Sequence, residues 1–333
     1  SILVKLIPHS NKMKPYTILL IVFLIQLGSL SAQIKPEVSY VRFDEKVSKG
    51  SLQSFQFPFK DSSSRKVLIW LPANYNPKVK YATVYMHDGQ MLFDSTTTWN
   101  KKEWRVDETA DSLISNGVTR PFIVVGIYND PPNRYAEFFP QETAKYMDSN
   151  YVSKLKQTLW NGELRADYYV DWITKKLIPF VEDHYAVSHK REDRFLIGSS
   201  MGGLISLYAI CEYPTVFGAA ACLSTHWTGI YQLDNNPIPE TFFLYLKRKL
   251  PNPKNHRIYF DYGDKTLDSL YPSIQIKVDI ILKSTGFTEK NWITKWLKEV
   301  CMQTLTQRKK LEQVTQRKNP QSQLKLIKIC KQG

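Results

Sequence analysis

Ser200 lies in Gly198-Ser199-Ser200-Met201-Gly202, a Gly-x-Ser-x-Gly spacing with an apolar run, Arg194 to Ile197, before it and a helical pattern after it. A serine in that setting is placed for nucleophilic attack. The strand-to-helix turn is so tight that its backbone is strained, which pushes the hydroxyl out above a sheet. A side chain at 198 or 202 would strike the neighbouring strand and helix, so glycine suits both positions. The backbone N–H of Met201 would open the helix and face a developing oxyanion. His87-Asp88-Gly89-Gln90 closes another apolar run, Tyr81 to Met86, and Gly89 there permits a sharp turn. Amides in such a loop are natural partners for that of Met201, so Gln90 is expected as the second oxyanion donor. His87, at a strand end, is expected to be structural rather than a base.

The elements that must position these groups follow from pattern. Strands are expected at Val38 to Phe43, Ser54 to Phe59, Arg65 to Leu71, Tyr81 to Met86, Pro121 to Tyr128, Gly218 to Ser224 and Arg257 to Tyr262. Helices are expected at Trp104 to Asn116, Asp167 to Val187 and Lys277 to Ser284, with Pro179 kinking or restarting the second and Pro214 ending the elbow helix. Strands alternating with helices describe an α/β protein, a mostly parallel sheet with helices on both faces. Between the elements, Arg134 to Pro140 reads as a loop that combines charge with aromatics. Arg134 there suits substrate binding, an internal Arg134–Glu137 pair being the plainer alternative. Thr225-His226-Trp227 follows a strand, so His226 could line a cleft.

The chain has 333 residues, enough for one large core, and its apolar fraction of 43% is that of an ordinary globular protein. The net charge of +14 divides into +3 in residues 1–32, +7 in 297–333 and +4 in the body between them. A body so mildly basic argues against nucleic acid as partner. Four cysteines, Cys211, Cys222, Cys301 and Cys330, form no Cys-x-x-Cys or Cys/His cluster, so no metal site is expected. Cys211 and Cys222 read as small buried hydrophobes.

Met13-Lys14-Pro15, an apolar run from Tyr16 to Leu30 and then Ser31-Ala32-Gln33 describe a secretory signal peptide at 13–32, cut after Ala32 or Ser31. The run is about 15 residues, short of the roughly 20 that span a membrane. Residues 1–12 read as leader upstream of a natural start. The mature protein is expected to be secreted or periplasmic, without a stable membrane anchor.

Six segments together carry a family resemblance: Tyr85 to Asp94, Arg134 to Pro140, Leu177 to Tyr185, Gly198 to Leu204, Ser224 to Trp227 and Asp261 to Tyr271. Over residues 38–296 the chain resembles the Putative esterase family of the α/β-hydrolase fold, which includes esterase D, enterochelin esterases and feruloyl or acetyl-xylan esterases. The resemblance implies hydrolysis of a small-molecule or carbohydrate-linked carboxylic ester by a serine, an acid and a histidine, with no metal or cofactor. It places the acid after the strand Arg257 to Tyr262. Asp268 is favoured by its match to the family's acid-bearing loop and Asp264 is the runner-up, while Asp261 could instead point into the sheet. Trp227, Tyr262 and Tyr271 would be available, with Arg134 and His226, as contacts for a sugar or aromatic acyl group. A rival reading keeps the fold and makes the chain a non-catalytic carbohydrate- or ligand-binding protein.

The family's histidine should follow a last strand, beyond a segment like Gly286 to Trp296. From Leu297 to Gly333 there is no histidine and no Phe, Tyr or Trp. The esterase-like domain is therefore expected to occupy 33–296, with its last strand missing or replaced, and 297–333 to be an atypical basic tail read out of frame. On this reading catalysis is impaired for want of the base. The DNA downstream of the Trp296 codon, read in all three frames, should encode a glycine-aspartate-histidine loop. A single open frame with no such loop in either alternative would overturn the expectation.

Overall fold

The computed structural model describes residues 37–42, 44–231 and 234–298. The chain falls into two units, Ser1–Glu37 and Val38–Gly333, and the described residues lie almost wholly in the second. The expected leader and signal peptide, and all but the first two residues of the expected tail, lie outside the described residues.

Nine strands form one sheet: β1 Ser39–Tyr40, β2 Ser51–Pro58, β3 Ser64–Leu71, β4 Ala82–His87, β5 Phe122–Ile127, β6 Arg194–Ser199, β7 Ala219–Leu223, β8 Arg257–Tyr262 and β9 Trp292–Trp296. Their order is β1-β2-β3-β5-β4-β6-β7-β8-β9. β1 to β3 are an antiparallel meander that joins β5 antiparallel, and from β5 to β9 every pairing is parallel. Every residue of β4, β5 and β6 is buried. That is why these segments are continuous apolar runs: a strand covered on both faces has no solvent side to make polar. β2, nearer the edge, alternates between buried and more exposed positions instead.

Alternating strand residues feed two core layers. One face packs on the helices Ala166–Trp172, Ile178–His184, Met201–Glu212, Ile238–Lys249 and Pro272–Ser284, through residues such as Tyr85, Leu196 and Phe260. The other, with Val84, Ile197 and Tyr259, packs on Val106–Ser115. Met201 to Cys211 are buried without a break, as expected of a helix wedged between a sheet and other helices. Pro179, with no N–H to donate and a ring that would strike the carbonyl four residues back, is accommodated by a π turn at Ile173–Leu177 before the helix restarts.

Several expectations are corrected. The sheet does not lack its last strand: β9 pairs parallel with β8 over the whole of Ile258↔Trp292 to Tyr262↔Trp296. It is a short edge strand, half-exposed throughout, so its sequence lacks the apolar run that marks β4 to β6. Arg134–Phe138 is a short helix rather than loop. Ser149–Thr158 and Ile238–Lys249 are helices that the pattern did not bring out. The first fully buries only Leu155, with Tyr151, Val152 and Leu159 half-buried beside it, and the Asp148 carboxylate caps it by accepting from the Asn150 and Tyr151 amides. Cys211 and Cys222 are buried free thiols.

The elbow helix crosses β6 at contact distance. A Cβ on Gly198 would lie 2.2 Å from the Gly202 carbonyl oxygen, and one on Gly203 would lie 2.9 Å from Thr225 Oγ1. At Gly202 the nearest atom would be Asp88 Oδ2 at 3.3 Å, so the tight positions are 198 and 203 rather than 198 and 202. Gly198→Ala should lose about 3 kcal/mol in urea denaturation, because backbone must move. Gly202→Ala should be nearly neutral, the crowding being offset by about 1 kcal/mol of helix propensity. Gly203→Ala should fall between them.

Candidate active site

Three neighbouring parallel strands end in non-glycine residues with positive φ. Asp88 follows β4 at +58°, Ser200 follows β6 at +59° and Ser224 follows β7 at +41°. Such conformations are costly for residues with a Cβ and gather where function demands a particular side-chain direction. Each is held in place. The Ser200 amide donates to the Leu223 carbonyl at 2.9 Å, and the Ser200 carbonyl accepts from the amides of Gly203 and His226 at 3.0 and 3.2 Å. The Ser224 amide donates to the Asp261 carbonyl at 2.8 Å. Ser200 is half-buried, and among the described residues its hydroxyl has no hydrogen-bond partner.

Met201 is the first residue of the elbow helix, and Gln90 is the second residue of a 3-10 turn, Gly89–Met91. Amides in those positions have no carbonyl further back in their own helix to reach. Pairing of β4 with β6 brings the two turns together, which is why a Cβ on Gly202 would meet Asp88 and the His87 Cβ. Gly89 rests on the β5 backbone, where a Cβ would come within 2.7 Å of Gly126. The Gln90 side chain is turned aside, its Oε1 accepting from the Asn129 amide at 3.2 Å.

Asp88 shapes this loop. Its carboxylate accepts from Arg134 Nε and Nη2, both at 2.8 Å, and from Asn129 Nδ2 at 2.6 Å. Burial works to raise the Asp88 carboxyl, but the Arg134 guanidinium outweighs it and holds the group below its ordinary range. Arg134 therefore pairs with Asp88 rather than Glu137, two of its three nitrogens being committed there. Glu137 pairs instead with Arg65 at 2.5 Å, both side chains being buried. His87 is fully buried, with Nδ1 2.8 Å from the Tyr169 hydroxyl, and burial pushes its pKa down to about 4.

The acid candidates separate by position. Asp268 is buried in the turn Thr266–Leu270, and its Oδ2 accepts from Ser224 Oγ and the Gly263 amide, both at 2.8 Å. It thus reaches the ends of both β7 and β8. Asp261 points into the sheet, accepting from the Ser224 amide at 3.3 Å and the Tyr259 hydroxyl at 3.2 Å. Asp264 is half-buried.

His226 is buried beside the elbow, with Nδ1 3.0 Å from the Tyr271 hydroxyl. Burial first, and then the charge of Arg134, push its pKa down to about 4. Trp227 is not a cleft contact. It is 1% exposed, packs on Phe242 and Phe260, and donates its indole N–H to Gln275 at 2.7 Å. A buried indole needs a partner for its N–H, and the neighbouring helix supplies one. Tyr271 is buried as well, and Tyr262 is half-buried. The exposed aromatic surface is Tyr231, 67% exposed with its ring 5.6 Å from that of His226, beside the half-buried Tyr135 of the Arg134 to Pro140 segment. Among the described residues no group of three or more His, Cys, Asp and Glu is placed to hold a metal ion.

A parallel sheet carrying a strained serine between strand and helix defines an α/β-hydrolase fold. The family described as Putative esterase matches residues 62–318, and the chain belongs to it. It is 28% identical over 181 residues to the uncharacterized protein YbbA of Bacillus subtilis (strain 168), covering 54% of this chain and 62% of that protein. The chain thus spans about three fifths of that relative's length. Among solved structures it is similar to an IroE-like serine hydrolase from Shewanella oneidensis, with a TM-score of 0.58, 18% identity and coverage of 84% of this chain and 79% of that one. It is also similar to the enterobactin esterase FES from Shigella flexneri, with a TM-score of 0.53, 16% identity and coverage of 74% and 54%. At these identities the structures speak for fold alone.

Arg134→Ala should lose about 3–5 kcal/mol in urea denaturation at pH 7, because it leaves the Asp88 carboxylate buried without its cation. Since the folded pKa of Asp88 lies below the unfolded one, the pair's contribution is present above the ordinary carboxylate pKa and lost as pH falls through the folded value. The gap between wild type and variant should therefore close in acid.

Proposed function

We propose that this chain is an exported serine carboxylic-ester hydrolase acting on a small-molecule or carbohydrate-linked ester. Membership of the esterase family supports the class, and the observation that carries it is Ser200, half-exposed on a strained turn with its hydroxyl uncommitted. In this reading Ser200 Oγ attacks the ester carbonyl, and the amides of Met201 and Gln90 hold the oxyanion. The alcohol then leaves, and water releases the acyl group from Ser200. One such amide typically contributes about 3–4 kcal/mol to the barrier. Asp268, at the ends of β7 and β8, is the acid. Tyr135 and Tyr231 offer flat faces to an acyl or sugar ring, an enterobactin esterase and a ferulic acid esterase being among the proteins that share the fold.

Residues 297–333 hold no histidine to serve as the family's C-terminal base, and in this reading hydrolysis is slower than in a relative that has one. Loss of a triad member removes most of the rate yet leaves roughly 10³–10⁴-fold over water from binding and the oxyanion site. The same observation favours a second reading, a non-catalytic carbohydrate- or ligand-binding protein on this fold.

A fluorophosphonate probe separates the two. The chain with the family's glycine-aspartate-histidine segment restored after Trp296 should be labelled at Ser200, and Ser200→Ala in that background should not. If the restored chain takes no label, the esterase reading fails.

A further inference from the structure

We infer that His226, held by Tyr271, accepts the Ser200 proton in this chain and so stands in for the family's C-terminal histidine, an assignment that rests on the esterase reading above. Their two turns meet through the backbone: the His226 amide, in the loop after β7, donates to the Ser200 carbonyl at 3.2 Å. The imidazole is anchored at one nitrogen only. Nδ1 meets the Tyr271 hydroxyl at 3.0 Å, while Nε2 is buried with no hydrogen-bond partner among the described residues. With Nδ1–H donating to the phenolic oxygen, Nε2 carries the lone pair, the tautomer a base requires. A buried ring nitrogen left unpaired is costly and calls for a use.

Tyr271 connects this imidazole to the acid. It directly follows the turn that carries Asp268, its amide donates to the Asp268 carbonyl at 3.1 Å, and the Asp268 charge acts on its hydroxyl. Asp268 thus acts on Tyr271 through the backbone and by its charge, its Oδ2 accepting from Ser224 and Gly263.

His87 ends β4 beside the elbow, and its Nε2 is likewise buried without a hydrogen-bond partner; the remaining described histidines are placed elsewhere. His87 packs against Phe138 and Tyr169, and His184 stacks on Phe180. His256 uses both ring nitrogens on the carbonyls of Asn252 and Pro214. His189 is largely exposed beside Glu182.

The Ser200 and His226 side chains are not hydrogen-bonded to each other in the free protein. Transfer requires a rotation about the serine Cα–Cβ bond together with a shift of the imidazole that uncovers Nε2, which is buried in the free protein. The Ser200 O–H bond breaks, its proton moves to Nε2 and Oγ bonds to the acyl carbon. On collapse the C–O bond to the alcohol breaks, and Nε2–H returns the proton to the leaving oxygen. Water repeats the sequence to free the acid. The nearby Arg134 charge opposes the imidazolium, so this is a weak base and the reaction is slow.

The test uses the full chain, the fluorophosphonate probe and p-nitrophenyl acetate. Wild type should be labelled and turn over slowly, and Ser200→Ala should do neither. His226→Ala should lower both rates by about 10²–10⁴-fold, with an unchanged circular dichroism spectrum, and added imidazole should restore part of the loss. His226→Gln, nearer in size, carries the test should the alanine variant not fold. Equal rates in wild type and a folded His226 variant would overturn the assignment and leave the esterase reading standing. So would an unlabelled wild type beside a labelled chain with the C-terminal segment restored. No label in either chain would remove both.

Discussion

The contact between the elbow helix and β6 is the constraint on which the site depends. Where they cross, the Gly198 Cα and the Gly202 backbone are so close that no side-chain carbon fits between them. The chain must reverse from strand to helix within one residue, and Ser200 takes φ +59° and ψ −119° to do so. That backbone cannot relax, because its carbonyl is gripped by Gly203 and His226 and its amide by Leu223. The strain directs the hydroxyl away from the sheet and lays the amide of Met201 at the helix start. It also draws the loop after β7 in behind the serine, and so brings His226 to its side.

A second constraint is electrostatic and buried. The five-residue helix Arg134–Phe138 sends Arg134 to Asp88, at the end of β4, and Glu137 to Arg65, in β3. One short element is thereby fastened to two strands by charged groups. Buried ion pairs give little net stability against hydrophobic replacements, but they strongly oppose any arrangement that leaves one partner alone. Here they set a shape. The left-handed Asp88 is held between Arg134 and Asn129, and the turn that presents the Gln90 amide starts from it. Glu137 shows the tension in such an arrangement: burial pushes its carboxyl up to about 7 although Arg65 opposes the shift.

Much of the architecture was legible in the sequence. β4 to β8 could be read because parallel strands covered on both faces must be rich in apolar residues, and the elbow because Gly198 and Gly203 have no room for a side chain on either side of the serine. β9 and the helix Ser149–Thr158 were hidden for the opposite reason. β9 is half-exposed and leaves no apolar run, while the helix shows Tyr151, Val152 and Leu155 at helical spacing only among mostly polar neighbours. The turn that carries Asp268 was singled out by its likeness to the family. Of the aromatic residues, Trp227 had the marks of a cleft contact but is sealed between helix and sheet, Tyr135 was marked only as part of the Arg134 to Pro140 segment, and Tyr231 carried no local mark.

By itself, the sequence marked Ser200 and the turn that bears it, the alternation of strand and helix and the lack of histidine in residues 297–333. Those are local properties, written in residue type and spacing along one stretch of chain. Tertiary structure alone decided that Arg134 serves Asp88 and not Glu137. It also decided that Asp268 rather than Asp261 turns toward Ser224 Oγ, and that His226 stands against the back of Ser200 with one ring nitrogen unused. Each of those depends on which strand end lies beside which. Strand order is settled by packing between residues dozens of positions apart, where spacing along the chain carries no information.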